Sequence, residues 1–103
     1  MADPMRIRTQ VQGDKVTVRV LMAHEMESGQ RKDASGQVIP AWFIQEVTAR
    51  HNDRVVLTAQ WGPAVSKNPY LQFSFAGGKA GDKLSISWTD NRGDQRTDEV
   101  TIA

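Results

Sequence analysis

Met22, His24 and Met26 alternate along the chain. An extended backbone puts every second side chain on the same side, so two thioethers and an imidazole would share one face. Soft sulfur with imidazole is a ligand set that suits Cu(I). The same three residues also read as a core methionine, a histidine closing a strand and a methionine covering an apolar edge. Spacing supplies no fourth copper ligand. Ser28, His24 and Asp33 are the residue types of a hydrolytic triad, but a triad is a geometry, and no nucleophile-elbow pattern surrounds any serine. Gly77-Gly78-Lys79 lacks the following Ser or Thr, and the helix, that would make it a phosphate loop. Arg92-Gly93-Asp94 spells an adhesion tripeptide, yet turn residues at a hairpin tip need no ligand. The second histidine, His51, stands beside an Asn52-Asp53 turn. Type and spacing define no catalytic site.

Composition narrows the classes further. A chain of 103 residues is one domain, 1–103, with one core and no second lobe to close over a substrate. Its 13 basic and 12 acidic residues leave a net charge of +1, which gives no general pull towards nucleic acid or anionic lipid. No local basic patch stands out along the sequence. With no cysteine, disulfides, thiolate metal sites and thiol chemistry are excluded for this chain. No stretch approaches the ~20 apolar residues of a membrane helix. Met1 to Gln10 contains no apolar signal-peptide core.

The elements that must position any site follow a period of two. Val16, Val18, Val20 and Met22 share one face, Leu71, Phe73 and Phe75 another, and Leu84, Ile86 and Trp88 a third. Such alternation marks strands with one face in the core and one in water. Ile7, Thr9 and Val11 predict a first strand, and Val55 to Trp61 and Arg96 to Ile102 two more. Ala41 to Arg50 fits either period, but Pro40, Trp42-Phe43 and the β-branched residues favour a strand with Phe43, Val47 and Ala49 on one face. Turns are expected at Gly13-Asp14, Asn52-Asp53, Gly77 to Asp82 and Asp90 to Asp94. Seven strands and no significant helix predict an all-β, immunoglobulin-like antiparallel sandwich. Trp42, Trp61 and Trp88 are expected to fill the space between its sheets.

One segment has no period: His24 to Pro40, with two glycines and mixed charge. Loops longer than ~12–15 residues are uncommon in compact domains and tend to be functional or disordered. Arg31-Lys32-Asp33, with Glu25 and Glu27 nearby, could form a charged rim that sets register against a protein partner. The residues alone thus predict a binding module with no stated partner.

Longer blocks carry a resemblance. His24-Glu25-Met26-Glu27-Ser28-Gly29-Gln30-Arg31 is similar to the His-Pro-Met-Glu-Thr-Gly-x-Arg stretch of the SoxZ family. Ile39 to Ile44, Asn68 to Phe73 and Trp88 to Gly93 resemble further blocks of that family, in order and at similar spacing. The resemblance implies the smaller subunit of a SoxYZ carrier complex in oxidation of thiosulfate and related sulfur compounds. It implies a SoxY-type partner whose C-terminal cysteine bears the sulfur, and transient contacts with a SoxAX-type cytochrome, a SoxB-type hydrolase and a SoxCD-type dehydrogenase. It implies no enzyme activity and no cofactor, and a periplasmic protein exported with its partner rather than by its own signal; the balanced charge and the lack of an apolar span add the expectation of no nucleic acid and no membrane. Glu25 departs from the family by replacing a proline, which frees φ at the start of the loop. On this footing His24, Met26, Glu27, Arg31, Lys32, Asp33, Asn68 and Pro69 are expected to form interaction surface. A small periplasmic copper-binding protein using Met22, His24 and Met26 is the alternative.

Overall fold

The computed structural model describes residues 3–102. Its strands are β1 (Arg6–Gln12), β2 (Lys15–Leu21), β3 (Ile44–His51), β4 (Arg54–Gln60), β5 (Tyr70–Ala76), β6 (Lys83–Asp90) and β7 (Gln95–Thr101). They form two antiparallel sheets, ordered β1-β2-β5 and β4-β3-β6-β7. The expected sandwich and its seven strands are present. Among the described residues no helix is long and apolar enough to cross a membrane.

Alternation dictates the core. Val16, Val18 and Val20 of the central strand β2 are fully buried, with Met22 just beyond its end. They meet Val47 and Ala49 of β3 and Leu84, Ile86 and Trp88 of β6, the two central strands of the other sheet. Each of the valines, Met22, Leu84 and Ile86 contributes about 1.5–3 kcal/mol by leaving water. The flanking strands β1, β5, β4 and β7 mostly half-bury their inward residues.

One strand departs from the predicted pattern. β3 begins at Ile44 and carries a bulge between Ile44 and Glu46. The extra residue resets the phase, so Ile44 and Val47 both face inward while Phe43 stays outside the strand. A bulge leaves no mark on simple alternation, and the expected shared face of Phe43 and Val47 does not form. Of the tryptophans, only Trp88 sits in the core; Trp42 and Trp61 are half-buried.

The turns form as expected. Gly13-Asp14 joins β1 to β2. Asn52 and Asp53 both take positive φ, 47° and 75°, as a two-residue hairpin with right-handed twist requires. In the β5–β6 connection Gly78 is buried, and a Cβ there would lie 2.5 Å from Val16 Cγ2 and 2.8 Å from Phe75 Cε2. The faint phosphate-loop pattern is therefore a packing feature: the backbone passes too close to the core for a side chain.

The N-terminal segment is tied to the opposite sheet. Met5 is buried, and its amide donates to Asp98 Oδ2 on β7 at 2.9 Å. Arg96 forks onto the same carboxylate at 3.0 and 2.8 Å. That fork holds the Asp98 carboxyl below its ordinary value, with the Met5 amide adding to it against the opposing effect of burial. Asp98→Asn should cost about 1–2 kcal/mol, towards the low end for bonds to a charged group because the carboxylate is part-exposed. Urea unfolding checks the cost, and hydrogen exchange should show faster exchange at Met5.

The registers also assemble something invisible in the linear charge pattern. With Val16, Val18 and Val20 inward, the outer face of β1-β2-β5 is four rows. These are Arg6 with Leu21 and Tyr70, Arg8 with Arg19 and Gln72, Gln10 with Thr17 and Ser74, and Gln12 with Lys15 and Ala76. The face holds four cations and no carboxylate. The expectation of no basic patch is corrected here, because residues 6 to 19 meet only through strand pairing.

Candidate functional site

The loops that leave β2 and β6 and enter β3 and β5 converge at one end of the sandwich, around Asp90. Its side chain is inaccessible to solvent. Oδ2 accepts from His24 Nε2 at 3.0 Å and Trp42 Nε1 at 2.7 Å; Oδ1 accepts from the amides of Arg92 at 3.0 Å and Asp94 at 2.9 Å. One carboxylate thus joins the loop after β2, the approach to β3 and the β6–β7 hairpin. Burial pushes the Asp90 carboxyl up, but the bonds from His24, Trp42 and the two amides outweigh it and leave the group below its ordinary value. It stays an anion.

His24 is consumed by the same network. Its Nδ1 accepts the Met26 amide at 3.0 Å, so the ring proton sits on Nε2 and is donated to Asp90. The ring meets Trp42 and Trp88 edge-on, each at 5.1 Å. Met26 is buried with φ of 51°, and its Sδ accepts the Ile44 amide at 3.3 Å. A positive φ is unfavourable for methionine and is held here by those contacts. The imidazole and one thioether of the supposed copper set are already engaged. The geometry speaks against that ligand set.

The triad also dissolves. His24 pairs with Asp90, not Asp33; Asp33 Oδ1 accepts from Ser35 N, Ser35 Oγ and Gln37 N at 2.9, 2.6 and 3.1 Å. Ser28 Oγ accepts the Gln30 amide at 3.2 Å. The Asp33 carboxyl is held below its ordinary value, first by the Ser35 hydroxyl and then by the Gln37 amide.

Those bonds belong to an ordered excursion. Glu27 and Trp42 exchange backbone bonds of 2.6 and 2.9 Å, the Ile39 amide reaches Arg31 O at 2.7 Å, and Asp33 N reaches Gln37 O at 2.9 Å. The long aperiodic loop is therefore an irregular antiparallel hairpin with its tip at Asp33 to Gln37. Strands of seven or eight residues span roughly 25 Å at ~3.3 Å per residue, whereas the chain is 53 Å long and about 20 Å in its other extents. Asp33→Ala should speed hydrogen exchange at Ser35 and Gln37 while leaving the global unfolding midpoint unchanged.

The two regions expected to supply surface do come together. Asn68, with φ of 52°, donates its amide to His24 O at 2.9 Å and accepts the His24 amide on Oδ1 at 3.1 Å. Of the eight expected residues, His24, Met26 and Pro69 are buried, Glu27 is half-buried, and Arg31, Lys32, Asp33 and Asn68 are exposed. The buried three hold the loops in place and present no surface of their own. Arg31 forks onto Glu27, which lowers that carboxyl below its usual range. Lys67 reaches Glu25, the residue in place of the family proline, at 3.0 Å. Beside the cluster is an open groove of about 380 Å³, bordered by Ala23, Glu25, Trp42, Lys67, Asn68 and Asp94.

Asp90 and Asn91 were missed as site residues. Asn91 accepts the Phe43 amide at 2.8 Å and donates Nδ2 to Ala41 O at 2.9 Å. Arg92 lies 4.3 Å above the Trp42 ring, so the arginine of the adhesion-like tripeptide is already occupied. The pattern Asp-Asn-Arg-Gly-Asp marks a turn built on side-chain acceptors. Nothing in it tells which distant donors the carboxylate will meet.

The fold is an immunoglobulin-like sandwich whose buried polar side chains at this end fasten loops together. The family model of SoxZ, described as sulphur oxidation protein SoxZ, matches residues 5–101. The chain belongs to the SoxZ family, and with it to sulfur oxidation. No curated protein matches the chain. Among solved structures, hypothetical protein PH1083 from Pyrococcus horikoshii OT3 is similar at a TM-score of 0.66 and 18% identity, over 99% of this chain and 89% of that one. That likeness supports the fold alone.

Proposed function

We propose that this chain is the non-catalytic subunit of a periplasmic two-chain sulfur carrier. A SoxY-type partner bears the sulfur on its cysteine, and this chain supports that partner and helps present it to the enzymes that load, oxidise and release sulfur. The family match over residues 5–101 carries this reading. Two features support it. The chain has no cysteine to hold sulfur, and at the loop end the histidine, carboxylate and thioether are spent on one another.

The exposed side chains of the hairpin, Arg31, Lys32 and Asp33, with Asn68 beside them, are then the surface offered to other proteins. Reconstitution tests the assignment. Thiosulfate oxidation by the purified enzymes should require both carrier subunits, and Arg31→Glu with Lys32→Glu should lower turnover without unfolding the chain. Full turnover with the SoxY-type subunit alone would remove the proposal.

A further inference from the structure

We propose that the outer face of β1-β2-β5 docks an acidic protein surface that meets this chain transiently, rather than its permanent partner. The inference rests on the carrier-subunit reading for the choice of partners, but not for the surface itself.

Strand pairing gathers Arg6, Arg8, Lys15 and Arg19 on one exposed sheet face. None of the four is in an ion pair among the described residues. The whole chain carries only +1, so this face is positive against a remainder that is net negative. Arg8 and Arg19 are direct cross-strand partners, and like charges in that position cost stability. Folding gains nothing from such a pair; an incoming carboxylate would. Next to it the exposed Leu21 and Tyr70 are also direct partners, at 41% and 57% exposure.

Arginine and tyrosine beside a small apolar contact are the side chains that carry binding energy at protein interfaces. A single-stranded nucleic acid would want several stacking aromatics along the groove, and this face offers one. A permanent subunit interface is broadly apolar, whereas only Leu21, Tyr70 and Ala76 interrupt the polar rows here. Charge of one sign with little apolar area suits fast, salt-sensitive encounters.

The test uses the complex with the SoxY-type subunit, titrated with each purified enzyme of the same sulfur-oxidation system. R8E with R19E should slow association at least about tenfold at low salt for one or more enzymes and flatten its salt dependence. Arg50→Glu with Arg54→Glu, an equal charge change on the other sheet, should alter it less than about twofold. Equal effects from both pairs, or none from the first, would overturn the proposal. So would loss of the SoxY-type subunit from R8E/R19E, which would make the face the permanent interface. A duplex or single-stranded oligonucleotide held by the parent and released by R8E/R19E would make it a nucleic-acid site and overturn it too. If the parent chain does not pair with the SoxY-type subunit, the carrier reading fails by itself. The titrations are then run on the chain alone, where enzyme binding abolished by R8E/R19E sustains the face, and binding unaffected or absent removes it.

Discussion

Asp90→Ala should bring the folded chain close to its unfolding limit. The substitution leaves four donors facing a void: His24 Nε2, Trp42 Nε1 and the amides of Arg92 and Asp94. Breaking a buried, hydrogen-bonded charged partner costs about 3–5 kcal/mol. Domains of this size have about 5–15 kcal/mol in all, and 1 kcal/mol moves the midpoint by roughly 4–8 °C. A fall of roughly 12–40 °C in thermal midpoint is therefore expected. Asp90→Asn keeps the shape but turns an amide donor towards at least one existing donor, so it should recover only part of the loss. The acid limb gives a second readout. Because the folded Asp90 carboxyl lies below its ordinary value of 3.8, its stabilisation is complete above that value and is lost as pH falls through the folded one. Unfolding free energy followed from pH 7 downwards should decline less steeply in the asparagine variant than in the parent. A loss under about 1 kcal/mol in Asp90→Ala would show that water satisfies the four donors equally well.

Gly78→Ala has the next largest effect. One added methyl would meet Val16 Cγ2 at 2.5 Å and Phe75 Cε2 at 2.8 Å, separations that force a shift of the core. Both neighbours are buried, so relief must come from rotamer or backbone strain, about 1–3 kcal/mol. Urea titration should show a lower midpoint with an unchanged slope. Gly13, with open space around it, provides the contrast, since Gly13→Ala meets only the φ penalty of its 65° turn.

Strands and two-residue turns were legible because period-two alternation and Asn-Asp or Gly-Asp pairs act locally. Val16, Val18 and Val20 announce their face without help from distant residues. The bulge at Gln45 was not legible, since one inserted residue changes a phase without changing composition. Asp90 was hidden for a different reason. A carboxylate at a hairpin tip looks solvated until pairing of β3 with β6 brings Trp42 onto it from 48 residues away and the loop after β2 brings His24 from 66. Trp42 was misplaced in the core on the same ground. The basic face was missed because Arg8 and Arg19 become neighbours only through the β1–β2 register. The long loop signalled its importance by lacking a period, but not its hairpin form, which depends on the bridges of Glu27 with Trp42 and Lys32 with Val38.

The carrier assignment is tested most directly by co-expressing this chain with the SoxY-type protein of its own organism, followed by size exclusion and intact mass after exposure to the thiosulfate-oxidising enzymes. A stable one-to-one complex with sulfur adducts on the partner alone is the expected result. This chain eluting by itself, with the partner loaded and turned over without it, would contradict the account.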